Sequence, residues 1–198
     1  MKALIIVDIQ NDFLPGGALA VPQGDEIIPF INKIQSQYDV VVATQDWHPR
    51  DHGSFAVNHE GKKPGDMIEL DGLPQIMWPV HCVQHTHGAA LASELEIKSI
   101  EKVFTKGEDP SIDSYSGLFD NGKRRSTGLG EYLKEKRVTR VDVVGLAADY
   151  CVKFTALDTI EFGFDTTVLK SGTRAVNLQP DDFEKSMKEL NAAGVRVK

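Results

Sequence analysis

The sequence predicts an α/β fold built on a mainly parallel sheet. Short β-branched runs recur along the chain, and stretches of helical apolar spacing fill the intervals between them. The runs are apolar almost without interruption, as in strands buried on both faces, where a sheet with one wet face would alternate. Crossovers between parallel strands are then expected to be right-handed.

The elements follow in order. ALIIV (Ala3–Val7) reads as a buried first strand, stopped by Asp8. In DEIIPFINKIQSQ, Ile27, Ile31 and Ile34 share one helical face, and Pro29 fits only near the first turn. DVVVAT (Asp39–Thr44) is the second strand and KVFTK (Lys102–Lys106) the third. Leu129, Tyr132 and Leu133 mark a helix before the strand VDVVGL (Val141–Leu146). Val152, Thr155, Ala156, Thr159 and Ile160 form a helical stripe closed by Gly163, and DTTVLK (Asp165–Lys170) is the next strand. Phe183, Met187 and Leu190 mark a last helix ended by Gly194, with VRV as a final short strand. Residues 45–87 and 107–128 break this rhythm and read as structureless loops, a length that points to function. No repeat or linker interrupts the chain, so residues 1–198 read as a single domain.

Composition narrows the function. The net charge of −7 argues against a nucleic-acid partner. No stretch approaches the length of a membrane span, and the apolar run at the N-terminus stops too soon, at Asp8, for a signal peptide. Two cysteines, Cys82 and Cys151, make no disulfide framework. The expected class is a cytoplasmic enzyme or binding protein without a membrane partner, and a homo-oligomer stays open.

Ligands of open parallel sheets bind outside the carboxyl ends of the strands, and the residues there can be read directly. Asp8 ends the first strand, Asp46 and His48 follow the second, Lys106 ends the third, and Cys151 follows the strand ending at Leu146. A cysteine is most often a small buried hydrophobe. Cys151, however, follows a strand-to-helix turn, where a helix N-terminus and a lysine from a neighbouring strand end favour thiolate. Backbone N–H groups of the same turn offer an oxyanion site. Cys82 lacks these supports and reads as structural.

All six histidines lie between positions 48 and 87, which suggests a metal site. Asp46 and His48 could hold the ion jointly, with His81 the best third ligand and His52, nearer the pair in sequence, the alternative. His85 pairs with His81 if that segment is helical; His59, His85 and His87 otherwise read as solvated or supporting. Asp and His donors suit a single divalent ion, zinc first, with iron or manganese as alternatives. Phe13, Trp78 and Tyr115 lie close to these points and would suit a small flat ring.

The strings VDIQNDF, QDWHP with HGSF, WPVHCVQ, FTKGEDPSIDSYSGLFDN and GLAADYCVKFTALD occur in that order. Together they resemble the nicotinamidases of the isochorismatase-like cysteine hydrolase superfamily, from about Lys2 to Asn177. The resemblance implies a three-layer α/β/α fold with a six-stranded, mainly parallel sheet. It implies hydrolysis of nicotinamide to nicotinate and ammonia in NAD salvage, with pyrazinamide as a second substrate. Asp8, Lys106 and Cys151 match the catalytic residues, and Asp46, His48 and His81 the metal ligands. His52 matches a position that some members use as a further ligand. Phe13, Trp78 and Tyr115 match ring contacts. The Leu146–Ala147 bond matches a cis peptide, with the N–H groups of Ala147 and Cys151 as the oxyanion hole. Ala148 and His85 depart from the family's usual residues. The competing expectations are a cysteine hydrolase of another small amide and a non-catalytic metal-binding relative.

Overall fold

A computed structural model describes residues 1–198. Eight strands and four α-helices follow one another along the chain: β1 (Lys2–Val7), α1 (Ile28–Ile34), β2 (Val40–Asp46), β3 (Met67–Leu70), β4 (Leu73–Ile76), β5 (Lys102–Lys106), α2 (Leu129–Glu135), β6 (Arg140–Leu146), α3 (Cys151–Glu161), β7 (Asp165–Arg174), α4 (Asp182–Ala192) and β8 (Arg196–Val197). Six of the strands form one sheet in the order β5-β2-β1-β6-β7-β8, every neighbouring pair parallel.

The near-continuous apolar runs do line both faces. In β1, Ala3, Ile5 and Val7 join the apolar cluster that also takes residues of α2, α3 and α4. Leu4 and Ile6 join the opposite cluster, under α1. This is the three-layer arrangement expected. Each fully buried Leu or Ile contributes about 1.5–3 kcal/mol of transfer free energy, and the central strands are built from such residues. β5 is the sheet edge, with Val103 exposed and Phe104 turned into the core.

Several details differ from expectation. Residues 45–87 contain an antiparallel hairpin, β3–β4, closed by Asp71 and Gly72 with φ of 49° and 80°. Two positive φ values at the central residues make this a tight hairpin turn for which Asp-Gly is suited. The stretch around Pro29 is not one helix: 3-10 turns flank α1, with Pro29 in its first turn. β7 runs four residues past Lys170, to Arg174, after a register shift opposite β6 between Val143 and Gly145. The extra length matters: Ala148 donates its N–H to Arg174 O at 2.8 Å, and Thr173 Oγ1 donates to Gly145 O at 2.7 Å. The end of β7 thus braces the turn that leads to Cys151.

Candidate active site

Four strand ends converge. Because β2 and β5 pair with Asp46 opposite Lys106, and β1 lies between β2 and β6, the sheet order sets Lys106, Asp46, Asp8 and the turn after β6 side by side. Lys106 does not come from the strand next to β6, as the sequence suggested. Its side chain, fully buried, crosses the ends of two intervening strands to reach Cys151. Gly145 permits the close approach of β6 to β1: it has φ of 115°, and a Cβ there would sit 2.0 Å from Val7 O.

Lys106 Nζ donates to Asp46 and to Ser114 O (2.9 Å), and lies 3.4 Å from Cys151 Sγ. It is also 3.0 Å from Asp8 Oδ2, an ion pair without hydrogen-bond alignment, so Oδ2 keeps a free acceptor. The other carboxylate oxygen, Oδ1, is fixed by Thr44 Oγ1 at 2.6 Å. Ligand atoms of Asp8, Asp46 and Cys151 lie within 4.8 Å of one another. Burial works against the charge on Lys106, but Asp46, Asp8 and Cys151 outweigh it and raise its pKa. Burial raises the Asp8 carboxyl to about 6 against the pull of Lys106. Burial also pushes the Cys151 thiol well above its ordinary value, with Lys106 opposing. Cys151 therefore rests as a thiol beside an acceptor whose value lies near neutrality.

Cys151 opens α3, after a turn in which the Leu146–Ala147 bond is cis. The N–H groups of Ala147 and Cys151 have no acceptor within the protein, whereas Ala148, Tyr150 and Val152 all donate. Two free donors beside a thiol can receive an oxyanion. The departure at Ala148 finds a physical place: its side chain is fully buried in the apolar cluster beneath α3, where a hydroxyl would need a partner.

Asp46, His48 and His81 are buried, with ligand atoms within 4.8 Å of one another. Each imidazole bonds through Nδ1 to a backbone carbonyl, His48 to Gly107 O and His81 to Pro79 O, both at 2.8 Å. Both Nε2 atoms then face Asp46 Oδ2, at 3.6 and 3.9 Å. This is the outer-shell orientation that fixes a metal-binding tautomer, so the donor set fits a divalent ion. Burial would raise the Asp46 carboxyl, but Lys106 and then His48 hold it well below the usual range. Burial, with His48 beside it, lowers His81 to about 4, which keeps it neutral as a ligand must be. His52 groups differently: its ring centroid lies 4.3 Å from that of His48, the planes tilted by 46°, and it clusters with His48 and Asp113. His52 Nδ1 is bonded to Ser54 Oγ at 2.7 Å, and its Nε2 is buried without a partner.

A narrow pocket joins these parts. Cys151 and Ala147 line one portion, Asp46 and His81 another, and Phe13, Trp78 and Tyr115 form walls as anticipated. Sequence reasoning passed over Asp113 and Tyr150, which also line it. Tyr150 precedes Cys151 and meets Trp78 edge-on at 5.0 Å. It also passed over Gln10, whose side chain bonds both the N–H and the carbonyl of Asp46 at 2.8 Å and so fixes the backbone at that carboxylate. The outlying histidines are dispersed. His85 lies edge-on to Trp47 in a non-helical segment, so it does not pair with His81 as a helical neighbour, and His59 bonds Gly53 O. Cys82 is fully buried, and burial raises its thiol well above the ordinary value.

The isochorismatase domain family matches residues 2–197. A nicotinamidase of Escherichia coli is 49% identical, the match covering 99% of this chain and 93% of that protein. The structure of an Acinetobacter baumanii nicotinamidase/pyrazinamidase superposes with a TM-score of 0.96 at 43% identity, covering 99% and 94% of the two chains. A Pyrococcus horikoshii pyrazinamidase solved in complex with zinc superposes at 0.81 with 35% identity, covering 100% and 98%.

Proposed function

We propose that this chain, which belongs to the isochorismatase family, is a nicotinamidase: it hydrolyses the amide C–N bond of nicotinamide to give nicotinate and ammonia, a step of NAD salvage. The observation that carries the assignment is the meeting of Asp8 and Lys106 with Cys151, whose side chain lines an apolar pocket walled by Phe13, Trp78 and Tyr115. The full-length nicotinamidase relatives support it. Pyrazinamide, a ring of the same size and substituent, is the second substrate. Residues 1–198 act as one catalytic domain, and the net charge of −7 with two free cysteines suits a cytoplasmic enzyme.

Phe13, Trp78 and Tyr115 hold the ring and bring its carboxamide to Cys151. Asp8 accepts the thiol proton as Sγ bonds to the carbonyl carbon, and Lys106, beside both groups, favours the resting carboxylate and the negative charge that develops on sulfur. The N–H groups of Ala147 and Cys151 receive the oxyanion. Asp8 then gives its proton to the amide nitrogen, the C–N bond breaks, and ammonia leaves a thioester on Cys151. Asp8 next takes a proton from water as the water oxygen bonds to the same carbon. Collapse breaks the C–S bond, the sulfur recovers the proton from Asp8, and nicotinic acid departs and ionises to nicotinate by giving its remaining proton to solvent.

Asp46, His48 and His81 would hold one divalent ion, with His52 as a further donor beside His48. Zinc is the first candidate, on the donor set and on the zinc-bound pyrazinamidase relative. Such an ion supplies a Lewis-acidic anchor for the ring nitrogen and for ordered water.

Ammonia release from nicotinamide by metal-replete protein tests the function. Wild type should turn over, and Cys151→Ala should lose roughly 10⁴-fold or more in kcat with no acyl adduct by mass spectrometry. Near-normal turnover by the alanine variant would transfer the nucleophile's role from the thiol to water.

A further inference from the structure

The β3–β4 hairpin turns a single buried side chain inward, and it is a glutamine. Every other residue of Met67–Leu70 and Leu73–Ile76 is exposed or half-buried, while Gln75 is 2% exposed. An apolar residue there would gain transfer free energy without a partner to find, so stability alone does not call for an amide. The Gln75 amide is densely engaged. Nε2 lies 2.8 Å from Ile76 O, 3.0 Å from Asp113 Oδ2 and 3.2 Å from the Tyr115 hydroxyl. Trp78 Nε1 donates to that same hydroxyl at 3.2 Å. One amide thus joins three residues that line the substrate pocket, directly to two and through the shared hydroxyl to Trp78.

We propose that Gln75 is a positioning residue for the ring-binding wall: its amide fixes the Tyr115 hydroxyl and the Asp113 carboxylate, and so makes the hairpin the element that sets the fit of the heteroaromatic amide. The proposal rests on the nicotinamidase assignment above. Gln75 reaches neither Cys151 nor Asp8, so its effect falls on how tightly the ring is held. Without its amide, Asp113 keeps only the Ser114 N–H (2.8 Å) as donor, and Tyr115 keeps only Trp78. The tyrosine ring, in contact with Tyr150 and Phe154 but with no polar tether to the hairpin, is then free to shift.

Gln75→Met keeps the length and volume of the side chain and removes the donors. It should raise KM for nicotinamide roughly tenfold and change kcat less than about threefold, the pattern of lost uniform binding. Tyr115→Phe removes the shared acceptor, and the double variant should fall short of the product of the two single effects, because the Gln75–Tyr115 contact can be lost only once. A fall in kcat at constant KM, unchanged kinetics, or fully additive KM effects each overturn the proposal. Should Gln75→Met fail to fold, Gln75→Asn, which retains an amide but draws it back, carries the same KM expectation. Hydrogen exchange over residues 113–121 separates this proposal from the substrate assignment. Faster exchange in the Gln75 variant is expected even if wild type does not turn over nicotinamide, and unchanged protection overturns the positioning role alone.

Discussion

At the scale of single residues the site depends on what Asp8 can do with a proton. Oδ1 is held by Thr44, and Oδ2 is left as the acceptor for the thiol. With its carboxyl raised to about 6 by burial, Asp8 is ionised at neutral pH yet able to return the proton to departing ammonia. As a base it must start ionised, so kcat/KM should fall about tenfold per pH unit on the acid side of this value. The sign for stability is opposite. The folded value lies above the ordinary 3.8, so the folded protein binds this proton more tightly than the unfolded chain does. The Asp8 contribution to stability is complete below the ordinary value and is lost as pH rises through about 6. A pH–rate profile with an acid limb near that value is the expected result, and Asp8→Asn should be inactive throughout. A wild-type profile flat down to about pH 5 would remove Asp8 from the role of base.

At the scale of elements, strand ends and loops carry the candidate ligands, and the strands position the loops. Gly107 shows how tightly one constrains the other. It leaves β5 with φ of 68°, accepts His48 Nδ1 on its carbonyl, and lies so close that a Cβ would sit 2.4 Å from His48 Cε1. Gly107→Ala should displace the His48 ring, cost roughly 1 kcal/mol or more in stability for its left-handed backbone, and lower bound metal per chain in elemental analysis. Full metal content in a folded Gly107→Ala protein would show that His48 is not a ligand. The elements themselves were largely legible. The β-branched runs and the Gly163 and Gly194 stops mark real strands and helices, because local composition and burial agree there. The hairpin was missed although Asp71-Gly72 is a strong turn signal, because its strands are polar and mostly exposed and carry no apolar run. Gln75 and Asp113 stayed hidden for a related reason. Buried polar residues declare themselves only through partners, and these partners are about forty positions apart in the chain.

At the scale of the molecule, the order of strands is what turns scattered residues into a site. Positions 8, 46, 81, 106 and 151 meet only because β1 and β6 are central and β2 and β5 flank them on one side. Periodicity identified the strands but not their order, so Lys106 was expected next to β6 when it arrives from the sheet edge. The same frame bears on the metal. The 79–84 loop is already joined to the end of β2 by protein bonds: His48 donates its N–H to Cys82 O at 3.0 Å, and Gln84 donates to His48 O at 2.9 Å. Cys82 also donates its N–H to Asp12 Oδ2 at 2.7 Å, which ties in the loop after β1. His81 is thus presented to Asp46 and His48 by the fold itself, and a divalent ion held there would close a prepared site without organising the chain. Chelation should therefore leave the far-UV circular dichroism unchanged while raising KM or abolishing turnover. It should lower Tm by only several degrees, since an ion at a hundred times its Kd contributes about 2.7 kcal/mol, and a domain of this size shifts about 2–4 °C per kcal/mol. Zinc should restore both. Global unfolding on chelation would mean that the ion builds the site; an unmoved Tm, with no metal in the active enzyme, would mean that Asp46, His48 and His81 serve some other purpose.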